Sequence, residues 1–229
     1  ARQFGRQIPD EEVVVAETIP GGTTTALGVM TALGEERGVS SSLPDNPIEQ
    51  KREVVADALA ASGLKPGDAA RDPRLAVRRA GDPVLASAAG FVVGTARTGT
   101  AVTLAGGTQM LAVAALARHA DLDAPLSLAT TTFVAEDPAT DLREAAVEFD
   151  LDLTVTDPEF EESDHPAMAR YVAGEAKEGV GMGGALALAE REGIPMARVR
   201  DRIRTLYDEL VESDTADNSA LAERDDGPR

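Results

Sequence analysis

The stretch Ala101-Val102-Thr103-Leu104-Ala105-Gly106-Gly107-Thr108-Gln109-Met110 decides the fold. Its first five residues are uncharged and largely aliphatic, with no polar alternation, as in a short strand buried on both faces. Two glycines follow at once, and a helical pattern then runs through His119. Working outward, the same grammar recurs. Downstream, Pro125 to Val134 holds a strand, Asp141 to Phe149 a helix and Leu151 to Thr156 a further strand. Upstream, Val13-Val14-Val15-Ala16 reads as a strand, the Pro20-Gly21-Gly22 turn follows, and a helix extends from about Thr23 to Gly34. Ile48 to Ala61 is a second helix. Asp82-Pro83 opens another to about Arg97, with the proline suited to a first helical turn. Strand, glycine turn, helix, strand is the α/β pattern. It predicts a parallel, Rossmann-like, three-layer sheet flanked by helices. Residues 1–195 are expected to form this core and 196–212 a C-terminal helix. The acidic tail 213–229 is expected to be disordered.

Charge narrows the function classes. Forty acidic residues face twenty-two basic ones, a net of −18, and only three of the basic residues are lysines, Lys51, Lys65 and Lys177. An acidic, lysine-poor surface fits a salt-rich (halophilic) cytoplasm, because hydrated carboxylates are screened there. No basic stripe exists, which argues against nucleic acid. No apolar run approaches the roughly 18 residues of a membrane span, so a cytoplasmic protein is expected. The absence of Cys and the presence of only His119 and His165 argue against a thiolate or histidine-rich metal site. The start Ala1-Arg2-Gln3-Phe4-Gly5 has neither an initiator Met nor a signal-peptide pattern, and reads as an internal start.

Three segments carry candidate chemistry. In Glu17-Thr18-Ile19-Pro20-Gly21-Gly22-Thr23-Thr24-Thr25, a glycine turn between strand and helix exposes N–H groups at a positive helix end, a setting for an anion or simply a capped tight turn. No Gly-Lys-Ser/Thr follows, so it is not a Walker A loop. In Lys177-Glu178-Gly179-Val180-Gly181-Met182-Gly183-Gly184, the glycines cost about 1 kcal/mol each in helix propensity. Close approach to a ligand or close helix–sheet packing would compensate. Glu178 is a general base or a plain helix-end charge. The third segment, Leu104 to Met110, puts Gly106-Gly107 at the carboxyl end of a strand, where open α/β sheets take ligands, or is a plain βα turn with no ligand. Two of the three lysines the chain retains, Lys51 and Lys177, fall in or near these segments. His165 reads as an exposed loop residue and His119 as a polar helix-end cap. Arg198, Arg200, Arg202 and Arg204 read as partners of nearby acids or as a dimer surface.

Taken in order, Glu17, Gly21-Gly22-Thr23-Thr24-Thr25-Ala26, Lys51, Gly106-Gly107-Thr108-Gln109-Met110 and Lys177-Glu178-Gly179-Val180-Gly181 resemble the nicotinate-nucleotide–dimethylbenzimidazole phosphoribosyltransferases of cobalamin nucleotide-loop assembly, most closely their archaeal branch. The resemblance spans roughly residues 13–210. It implies a homodimeric pentosyltransferase with a small helical part built from the chain ends and no cofactor. The implied reaction moves the phosphoribosyl group of nicotinate mononucleotide onto an aromatic azole base of the benzimidazole type, giving α-ribazole phosphate and nicotinate. Glu178 would be the base. Gly21, Gly22, Thr23, Thr24, Lys51 and Gly179 would hold the phosphate. Gly106, Gly107 and Gln109 would lie near the azole, with Glu17 and Lys177 in support. Typical bacterial members have Glu-Ile where this chain has Gln109-Met110, and the family has an N-terminal part that would precede Ala1. The alternative is a relative that binds a nucleotide, as a regulatory protein, without chemistry.

Overall fold

A computed structural model describes residues 1–177 and 181–225, with the side chains of the last helix described to residue 211. The elements are α1 (Arg2–Gly5), β1 (Glu12–Val15), α2 (Gly22–Leu33), α3 (Ile48–Ala61), α4 (Pro73–Ala80), α5 (Pro83–Ala96), β2 (Ala101–Ala105), α6 (Thr108–His119), β3 (Leu126–Thr131), α7 (Thr132–Ala135), α8 (Leu142–Glu148), β4 (Leu151–Thr156), α9 (Pro166–Val172), α10 (Met182–Arg191) and α11 (Met196–Asp225). The strands form one parallel sheet in the order β1-β2-β3-β4. The α/β class and the parallel sheet match the expectation from sequence.

The register divides the sheet into two unlike faces. Val13 pairs with Val102, Val15 with Leu104, Leu104 with Leu128 and Leu126 with Leu151. Because side chains alternate along a strand, these aliphatic residues share one face. There they meet α5, α6 and α8 in the main core, where Leu104 and Leu128 are fully buried. Each such leucine contributes about 1.5–3 kcal/mol by leaving water. The other face carries smaller or polar residues, Thr103, Ala105, Ser127, Ala129 and Asp152. Among the described residues, α10 packs on it, against β2, β3 and β4.

That second face explains part of the glycine cluster. A Cβ on Gly183 would overlap the backbone of Thr130, and one on Gly184 would overlap Ala105 and press on Val14. Gly183 and Gly184 therefore serve close helix–sheet packing, one of the two readings left open by the sequence.

At the C-terminal end, α11 runs from Met196 through Asp225. An uninterrupted run without Gly or Pro from Met196 to Asp225 lets the helix continue. Helix α1 packs on α5, and α11 on α10. No helix among the described residues is long and apolar enough to cross a membrane.

Candidate functional site

A cleft of about 150 Å³ opens where β1, β2 and β3 end. Parallel strands release their loops at this edge, which is where open α/β sheets place ligands. The wall from β1 is Glu17, Thr18, Ile19 and Thr23, and that from β2 runs from Ala105 to Gln109. Ser40, Ser41 and Ser42 form another side, and Val134, Lys177 and Gly181 complete it. All three glycine-bearing segments thus send residues into one cleft.

Their contributions are unequal. Gly21 precedes α2 in a left-handed conformation, φ 75°, which glycine adopts without a Cβ penalty. Thr23 borders the cleft, whereas Gly21, Gly22 and Thr24 are not among its lining residues. As the second residue of α2, Thr23 has an N–H without an intrahelical acceptor. Gly22 makes room for Gln109, since a Cβ there would come within 2.7 Å of Gln109 Nε2. The Thr25 hydroxyl faces Asp82, 2.5 Å from its Oδ2. Asp82 Oδ1 in turn accepts from the N–H groups of Val84 and Leu85 and caps α5. One carboxylate therefore ties the starts of α2 and α5 together.

Gly106, Gly107 and Gln109 lie on the cleft at the start of α6, whose cap, Gly107, makes no side-chain cap bond. Two helix N-termini, those of α2 and α6, therefore face the same space, a favourable field for an anion. Gly181, φ 84°, fits between the Ala16 and Ala105 methyl groups as it starts α10. Glu178 and Gly179, the expected base and phosphate contact, lie outside the described residues.

The lysines are joined by a residue that sequence reading passed over. Asp137 is 8% exposed and accepts from Lys177 Nζ at 2.6 Å, from Ser40 Oγ at 2.7 Å and from Ala139 N at 2.9 Å. Burial works to raise its pKa, but the bonds from Lys177, Ser40 and Ala139 prevail and hold it below the usual carboxylate range. Lys51 is not on the cleft wall. Its ammonium donates to Ser40 O at 2.9 Å and to Asn46 Oδ1 at 3.0 Å, bracing the serine loop from behind. Burial lowers the Lys51 pKa, opposed by the charge of Asp137 and reinforced by that of Lys177. Glu17 is the described carboxylate on the cleft wall. Burial raises its pKa, and Asp82 adds to the rise.

In the sequence, residues 38–47 show neither helix nor strand periodicity and read as a polar loop. Three consecutive serines ahead of Lys51 were the available signal for their role. Asp137, in the short link after α7, had no local signal, because its partners stand 97 and 40 residues away.

The histidines lie elsewhere. His119 closes α6 at the opposite end of the sheet, accepting from Arg71 N at Nδ1 and bonding Glu35 through Nε2. His165 is not the solvent-exposed loop residue expected. It caps α9 and stacks edge-on against Tyr207, with its side chain 8% exposed. Arg200 is buried and pairs with Glu159 and Glu162, which supports the reading of that arginine run as partners of acids. No group of three or more potential metal ligands occurs among the described residues.

No protein-family model matches the chain. It is similar to the UPF0284 protein of Halobacterium salinarum, with 57% identity over 211 residues, covering 92% of this chain and 63% of that protein. The UPF0284 protein of Methanothermobacter thermautotrophicus is 46% identical over 207 residues, 88% of this chain and 57% of its own length. That of Methanosarcina mazei is 42% identical over 198 residues, 86% and 57%. The shared name assigns no chemistry. The chain spans about three fifths of the length of these relatives, all of them archaeal UPF0284 proteins.

Proposed function

We propose that the cleft binds nicotinate mononucleotide and that the protein transfers its phosphoribosyl group to an azole base of the benzimidazole type, with release of nicotinate. The observation that carries this reading is convergence. Residues from the segments 17–23 and 105–109, together with Lys177 and Gly181, are distant in sequence, yet border one cleft at the carboxyl ends of three parallel strands. These are the segments on which the family resemblance rests.

The chemistry asks little of the protein beyond position and one base. The leaving group is already a pyridinium, so its departure needs no general acid. Attack by the azole nitrogen at the ribose anomeric carbon breaks the bond to nicotinate and inverts that carbon. The azole N–H proton must then pass to a base. By resemblance that base is Glu178. The ligand phosphate is assigned to the field of the α2 and α6 N-termini, with Thr23, the serine loop and Lys177 as donors. A homodimer in the archaeal cytoplasm belongs to the same proposal.

The test is a chromatographic assay of the full-length protein with nicotinate mononucleotide and a panel of benzimidazoles and adenine. Nicotinate and an α-ribazole-type phosphate should appear together, and Glu178→Ala should abolish both. Normal turnover by Glu178→Ala would remove that residue from the role of base. The position of Gln109 beside Gly22, where typical bacterial members have Glu, favours a second reading, nucleotide binding without chemistry. Protection by nicotinate mononucleotide against thermal unfolding, with no product from any acceptor, would select it.

A further inference from the structure

We propose that Asp137 is a positioning residue of this cleft, holding the Lys177 ammonium and the Ser40 hydroxyl where they meet an anionic ligand. The inference rests on the reading of the cleft as a nucleotide site.

Asp137 does not itself border the cleft, whereas Ser40 and Lys177 do. A single oxygen, Oδ2, accepts from both, and the other oxygen accepts from Ala139 N. The Asp137 side chain is 5% exposed and that of Lys177 17%. Lys177 is fixed a second time through its backbone, because the Thr131 hydroxyl donates to its carbonyl at 2.8 Å. Ser40 is also held twice, by Asp137 at its hydroxyl and by Lys51 at its carbonyl. The carboxylate thus locks two donors from remote parts of the chain into one wall.

Stability alone is a weak reason for such a buried pair, since desolvation of two charges offsets most of their attraction. The network supplies fixed geometry instead. It also lets the Lys51 ammonium stand behind the wall that Lys177 borders, because Asp137 balances part of their repulsion and leaves a single net positive charge among Lys51, Lys177 and Asp137. A donor set held in place in this way is preorganised for an anion and loses little freedom on binding.

The sign of one substitution separates positioning from simple charge. Asp137→Asn removes a negative charge beside an anion site, so electrostatics alone predicts tighter binding. Positioning predicts weaker binding. Calorimetric titration of the full chain with nicotinate mononucleotide should show affinity reduced about tenfold or more in Asp137→Asn, the scale of a lost charged hydrogen bond. Asp137→Glu should recover part of it. Lys177→Met, which leaves the Ser40 bond to Asp137 possible, should weaken binding to a similar degree. Equal or tighter binding by Asp137→Asn would overturn the proposal, as would wild-type affinity in Lys177→Met.

A second measurement needs no ligand. The chain has only three lysines, so acylation by an amine-reactive ester can be followed at each by peptide mass spectrometry. Exposed Lys65 serves as the internal reference. Lys177 should react more slowly than Lys65 in the wild type and severalfold faster once Asp137 is Asn, with unfolding still cooperative. An unchanged Lys177 rate would show that Asp137 does not hold it. Should the wild type fail to bind nicotinate mononucleotide, the nucleotide reading falls, while the labelling still decides whether Asp137 positions Lys177.

Discussion

Glu17 has a carboxyl oxygen, Oε2, that is buried and accepts no hydrogen bond. Burial, with Asp82 nearby, raises its pKa. A carboxyl group with a raised folded-state pKa contributes stability that is present below its unfolded pKa, near 4.3, and is lost as pH rises through the folded value. Above its unfolded pKa, the raised folded value means that ionising Glu17 opposes folding. Glu17→Gln should stabilise the protein by up to about 1 kcal/mol near pH 7.5, because it removes the charge that burial and Asp82 disfavour, a gain limited by the residue's partial exposure. The gain should shrink toward pH 4. Thermal melts of both proteins at the two pH values check this, and a less stable variant at pH 7.5 would refute it. If turnover falls as stability rises, the strain at Glu17 belongs to the site. Asp137 has the opposite sign. Its folded pKa is lowered, so its contribution is present above the unfolded value near 3.9 and is lost as pH falls through the folded one.

Among the elements, α10 shows what a glycine run does when its helix lies directly on a sheet. On an exposed helix, Gly→Ala stabilises by about 1 kcal/mol. At Gly183 the new methyl group would collide with the Thr130 backbone, which cannot turn aside as a side chain can. Gly183→Ala should therefore destabilise by roughly 1–3 kcal/mol, reversing the propensity effect. Urea unfolding at constant m-value measures this, and a stabilised variant would show that α10 does not seat on β3 at this point. The same helix marks the limit of reading from sequence. Helical patterns and short apolar runs, with Pro83 and the paired glycines, place α3, α5, α6, β2 and β4 to within a residue or so, because those signals are local. Whether Gly183 approaches a ligand or a strand depends on what lies above it, and no local pattern encodes that. The cleft divides in the same way. Gly106, Gly107, Gln109 and Lys177 announced themselves through glycine turns and a scarcity of lysine. Asp137 acquires its meaning only when the fold brings Ser40 and Lys177 to it.

The whole molecule carries a net charge of −18. Its described ion pairs include exposed ones such as Arg52 with Glu49 and Arg191 with Glu12, a class worth 0–1 kcal/mol each and weakened by salt. Repulsion among the excess carboxylates acts in the other direction and is relieved by salt, since the Debye length falls from about 8 Å at 0.15 M to about 3 Å at 1 M. With nearly two acids for every base, repulsion outweighs the pairs. Added potassium chloride should therefore stabilise the fold. Between 0.15 M and 2 M, the melting temperature should rise by roughly 5 °C or more, the equivalent of about 2 kcal/mol for a domain of this size. The buried contacts at Asp137 are shielded from the added ions and should change little, so lysine labelling at Lys177 should keep its slow rate over the same range. A flat or falling melting temperature would mean that the acidic surface is not under repulsive strain at low salt. Faster Lys177 labelling at high salt would mean that solvent reaches the Asp137 pair, which would place the pair at the surface rather than within the cleft wall.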